Sequence, residues 1–233
     1  LLYLHGGGFV LGSLDTHDRI MRELSFRSGC AVVGVEYSLS PENKFPLALE
    51  EISLVLKWLK KSPSVKKKSS SYFDPDRIVI GGDSAGANLS MGTALNFKKS
   101  LSGILLIYGW FGLRDSCSSR LFLNTELGLS EEDLKFYTQS YIRNMEDLSD
   151  SRIDVLSSDL RGLPPSCIIF SDLDPLHDDS KTLAFLMEEN EIQCEMHLHR
   201  GVLHGFLHYS RMLDAAVKGL KQCSDFLKRV LMN

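Results

Sequence analysis

The run Gly82-Asp83-Ser84-Ala85-Gly86 constrains this chain most, because it follows an apolar stretch, 77–80, and opens a helical stretch of small residues. Glycines at both flanks let the backbone bend sharply between strand and helix. A serine on such a bend stands exposed to a base, with main-chain amides close by, which an ordinary hydroxyl needs before it becomes a nucleophile. A glycine-rich turn of a nucleotide-binding sheet is the alternative, and three further segments argue against it.

The first is His5-Gly6-Gly7-Gly8-Phe9, at the end of the apolar run 1–4. Consecutive glycines leave amides unobstructed, so they are able to point at a developing oxyanion. Gly7 and Gly8 are the expected loop donors, Gly6 shapes the turn of the same oxyanion hole, and the Ala85 amide completes it. His5 reads as a structural hydrogen-bonder. The second segment, 171–179 (SDLDPLHDD), follows the strand candidate 167–170 and carries four aspartates, Asp172, Asp174, Asp178 and Asp179, among which the residues alone do not choose an orienting acid. Asp178 and Asp179 suit the first turn of the helix that Pro175 introduces. The third is His204-Gly205-Phe206, placed after the strand-like 194–199 and before a long C-terminal helix. Nucleophile, acid and histidine thus follow in the chain order Ser, Asp, His.

These residues resemble the hormone-sensitive-lipase-like branch of the alpha/beta-hydrolases, and within it the acetyl-esterase subgroup. The resemblance spans the chain and is carried by 5–9, 37–46 (YSLSPENKFP), 74–86 (DPDRIVIGGDSAG), 108–116 (YGWFGLRDS), 174–179 (DPLHDD) and 203–212 (LHGFLHYSRM). It implies a catalytic triad of Ser84, Asp174 and His204, hydrolysis of short-acyl esters through an acyl-enzyme, and no cofactor. The family commonly has an arginine where Ser38 stands, a departure that touches the scaffold and not the triad. It also implies an N-terminal segment ahead of Leu1, because the chain starts inside a strand. Without that segment, the strand 31–35 is expected at an open sheet edge.

Apolar stretches at 1–4, 31–36, 77–81, 103–107, 167–170 and 194–199 alternate with helical ones, which predicts an α/β fold: a mostly parallel sheet with helices on both faces, in one domain over 1–233. At 233 residues and 43% hydrophobic composition, there is enough core for that domain. A net charge of −4 offers no general attraction to nucleic acid, and no run approaches the length of a membrane span. Lys66-Lys67-Lys68, followed by Ser69-Ser70-Ser71, reads as a solvated loop. Five scattered cysteines do not make a disulfide frame and fit a reducing cytoplasm. His197, His199, His204 and His208 lack the acidic partner of a local zinc motif, so no metal site is read from them.

The stretch 111–160 is longer than an ordinary connection and is expected to contribute to a cap over the site. Ser130 suits the N-cap of a helix there, with Leu134, Phe136, Tyr137 and Tyr141 as its apolar stripe. Trp110 and Phe111 are placed to line the substrate pocket. The expected partner is a small-molecule ester. The rival readings are an amidase or deacetylase with the same triad, and a hydrolase-fold protein that binds a ligand or a protein without turnover.

Overall fold

The computed structural model describes residues 1–61, 74–112, 114–123 and 128–232. The lysine–serine cluster at 66–71 lies outside the described residues. The sheet has six strands, β1 (Leu2–Leu4), β2 (Val33–Val35), β3 (Val79–Asp83), β4 (Gly103–Ile107), β5 (Ser166–Leu173) and β6 (Cys194–Leu203), in the order β2-β1-β3-β4-β5-β6. Every adjacent pair is parallel, as the alternation of apolar and helical stretches predicts. β2 occupies one edge.

Helices bury both faces of the sheet, which is why its inner strands read as unbroken apolar runs. Leu2, Leu4, Ile80, Ile104, Leu106, Ile168 and Phe170 face α2 (Leu47–Lys61), α3 (Ala85–Phe97) and α6 (His177–Glu189). The alternate residues Tyr3, Val79, Leu105, Ile107, Cys167 and Ile169 face α1 (Leu14–Ser28) and α7 (Asp214–Met232). Two shorter helices, α4 (Cys117–Phe122) and α5 (Glu131–Tyr141), lie within 111–160.

Two strands outrun their sequence-based limits. β5 continues to Leu173 and β6 to Leu203, past the apolar ends at 170 and 199. Leu173 pairs with Leu203, which brings the aspartate-rich segment beside the loop of His204.

The strand order creates the place where a site belongs. From β1 the chain moves outward to β2, then returns past β1 to β3 and continues through β4, β5 and β6. In open α/β sheets, ligands bind beyond the carboxyl ends of strands at such a reversal. Here the residues beyond those ends are the glycines after β1 and Ser84 after β3.

Candidate active site

Ser84 sits between β3 and α3 with φ 53° and ψ −119°, a conformation that non-glycine residues rarely adopt. Its amide donates to the Ile107 carbonyl at 2.8 Å, which fixes the elbow to β4. Both flanking glycines are required sterically. A Cβ on Gly82 or Gly86 would run into the Leu4 carbonyl oxygen of β1.

The Ser84 Oγ lies 2.9 Å from His204 Nε2, and His204 Nδ1 lies 2.8 Å from Asp174 Oδ2. Asp174 is fully buried, and its other oxygen accepts the Leu176 amide at 2.8 Å. With Nδ1–H donated to the carboxylate, Nε2 presents a lone pair to the serine hydroxyl. Burial alone would push the His204 pKa down, but attraction to Asp174, their hydrogen bond and the field of Asp83 hold it above the ordinary histidine value. The structure also separates the four aspartates. Asp172 accepts the Gly201 amide, Asp178 accepts the Ser118 amide and Asp179 accepts the Phe111 amide, while Asp174 meets His204.

Among the described residues, the amides of Gly7, Gly8 and Ala85 have no hydrogen-bond acceptor in the protein. Gly8 and Ala85 line the same cavity as Ser84. Gly6 is different, because its N–H donates to Asp83 Oδ1 at 3.0 Å. This corrects its assignment to the oxyanion hole: Gly6 anchors the loop and offers no donor. His5 has the expected structural role, with Nδ1–H donated to the Gly6 carbonyl and its ring stacked on Tyr37 at 4.3 Å.

A cavity of about 490 Å³ opens beside Ser84, with Phe9, Trp110, Leu134, Tyr137, Ile142 and Leu148 among its walls. Trp110 therefore lies where the sequence suggests. Phe111 does not. It is wholly buried in the core and absent from the cavity lining, because its N–H is tied to Asp179 on α6. On α5, Ser130 is the N-cap in a reciprocal capping box with Asp133. Of its apolar stripe, Leu134 and Tyr137 reach the cavity, Tyr141 is buried against Phe9 and Phe136 points to solvent.

Sequence reasoning missed Asp83. This carboxylate is buried, with Oδ1 accepting from the Tyr3 hydroxyl at 2.7 Å and the Gly6 amide at 3.0 Å. Its Oδ2 lies 3.3 Å from His17 Nε2 and 3.9 Å from His208 Nε2. Burial works against its charge, yet the His17 hydrogen bond and charge hold its pKa below the usual carboxylate value. The only local signal was an acid wedged inside the glycine–serine motif.

A family profile described as alpha/beta hydrolase fold matches residues 1–208. The chain belongs to the alpha/beta hydrolase family. An acetyl esterase from Salmonella choleraesuis is 42% identical over 97% of this chain and 71% of its own length. Among solved structures, an esterase from Pyrobaculum calidifontis superposes with a TM-score of 0.91 at 30% identity, over 98% of this chain and 75% of its own. A thermophilic carboxylesterase cloned from a metagenomic library gives 0.93 at 33% identity, over 99% and 79%.

Proposed function

We propose that this carboxylic ester hydrolase, an enzyme class set by its family and its esterase relatives, acts on short-acyl esters through a Ser84–His204–Asp174 triad. The observation that carries the triad is the continuous hydrogen-bonded chain from Ser84 Oγ through both His204 nitrogens to Asp174.

His204 takes the hydroxyl proton as Ser84 Oγ attacks the ester carbonyl, and Asp174 stabilises the imidazolium that forms. Negative charge on the carbonyl oxygen is received by the amides of Gly7, Gly8 and Ala85. One such donor is worth on the order of 100- to 1000-fold in rate. The tetrahedral adduct expels the alcohol, which leaves with the proton from His204. Water, deprotonated by His204, then attacks the acyl-Ser84 ester and releases the acid. No cofactor enters these steps.

Short acyl groups are favoured by the acetyl-esterase relative and by Trp110, whose ring meets Phe9 edge-on at 6.1 Å beside Ser84. Four of the lining charges pair with one another, Arg120 with Asp115 and Lys135 with Glu131 at 2.6 Å, while Arg114 donates to the Leu148 carbonyl at 2.8 Å. The helices α4 and α5 serve as cap elements, and the five unpaired thiols suit the cytoplasm.

The test is steady-state hydrolysis of p-nitrophenyl acetate, butyrate and octanoate by the protein, its Ser84→Ala variant and its His204→Ala variant. Turnover should decline with chain length and fall by at least about 1000-fold in each variant, since triad members act as a unit. A folded Ser84→Ala variant that keeps its rate would overturn the mechanism.

A further inference from the structure

Two imidazoles converge on one carboxylate oxygen next to the triad. His17 Nε2 and His208 Nε2 lie 3.3 and 3.9 Å from Asp83 Oδ2, and all three atoms lie within 4.8 Å of one another. A salt bridge to His17 accounts for only one of the rings. The His208 ring has no hydrogen-bond partner among the described residues and packs edge-on against His17 at 4.7 Å. Three donors so close, two imidazole nitrogens and a carboxylate oxygen, are a ligand set that zinc accepts with a fourth position left open.

The surroundings are also those of a metal site. Oδ1 of Asp83 is already saturated by Tyr3 and Gly6, which turns Oδ2 toward the rings. On the far side of His17, Nδ1 lies 2.8 Å from Thr16 Oγ1 and 3.3 Å from the Ser13 carbonyl, contacts that orient the ring with Nε2 toward Asp83, where an ion would displace the 3.3 Å contact from the Gly6 amide. A cavity of about 280 Å³ borders His17, Asp83 and His208 together with Ser84 and His204, so an ion has an entry path and room for a water ligand.

We propose that His17, Asp83 and His208 bind a divalent transition-metal ion of the zinc type, and that this ion inhibits the esterase. Binding exchanges any proton on His17 for the metal and involves no redox change. The inhibitory half rests on His204 being the base. The ion would occupy the cavity that Ser84 and His204 also border, so its positive charge opposes the imidazolium that His204 becomes in the transition state. Zinc then lowers kcat and leaves KM nearly unchanged.

The alternative cluster of Cys167, Glu195 and His197 is a weaker host, because Glu195 is engaged by Arg229 and burial pushes the Cys167 thiol pKa up. Calorimetric titration of zinc chloride into the Ser84→Ala variant reads binding without any reference to catalysis. One ion per chain is expected, with affinity at least about tenfold weaker when His208→Ala is added and unchanged when His197→Ala is added. In parallel, zinc inhibition of p-nitrophenyl acetate hydrolysis should be reversed by EDTA and weakened in His208→Ala relative to that variant's own zinc-free rate. No binding at sub-millimolar zinc, or equal binding with and without His208, overturns the site. Binding that depends on His208 but leaves kcat unchanged overturns the inhibition.

Discussion

Asp83 links two parts of the site at the level of single side chains. It directly precedes Ser84, yet its bonds run to Tyr3 on β1 and to Gly6 in the glycine loop, so one carboxylate holds the elbow and the loop in register. Asp83→Asn keeps the shape and removes the charge, and loses hydrogen bonds to a charged group worth about 1.5–3 kcal/mol each. Its kcat should fall about tenfold or more with a smaller change in KM, and a KM-dominated loss would contradict the positioning role. The raised pKa of His204 sets the pH response. The base must be neutral, so kcat/KM should fall as pH drops through its pKa, with a midpoint above the ordinary histidine value of 6.5 in a pH–rate profile. At this scale the meeting of Ser84 and His204 was legible because both stand in compact motifs. Asp83's partners were not, since 77 residues separate it from Gly6 and 66 from His17.

Among elements, the strand-to-helix elbow after β3 and the helix α5 matter most. The elbow approaches β1 so closely that Gly86→Ala would force a methyl group onto the Leu4 carbonyl, and a buried clash of that kind costs about 1–3 kcal/mol or more. Denaturant unfolding should register the loss together with reduced turnover. α5 depends on its reciprocal cap, so Ser130→Ala should lower stability by about 1 kcal/mol. Ser130, followed by an acidic first turn, announced that helix in the sequence. The ends of β5 and β6 were hidden because polar residues continue both strands beyond their apolar runs. Phe111 misled for a related reason: an aromatic after a strand reads as a pocket wall, whereas here its main chain is held by the distant Asp179 and Leu156 and its ring is buried.

For the whole molecule, the reversal of strand order between β1 and β3 brings the glycine loop and the serine elbow together. The parallel α/β plan was readable from alternating apolar and helical stretches. The strand order was not, because it is decided by packing between segments distant in sequence. One face of the sheet relies on α1 and α7, where Phe226 is fully buried. Phe226→Ala should cost about 3–5 kcal/mol in equilibrium unfolding through the cavity it leaves, whereas a near-neutral result would contradict that packing.

The central claim is that Ser84 carries the acyl group, and its most direct test is mass spectrometry of the protein after rapid acid quench with p-nitrophenyl acetate. The account predicts one acetyl group per chain, on the peptide containing Ser84, and none in Ser84→Ala. Turnover with no acylated Ser84, or acetyl transfer to another residue, would contradict it.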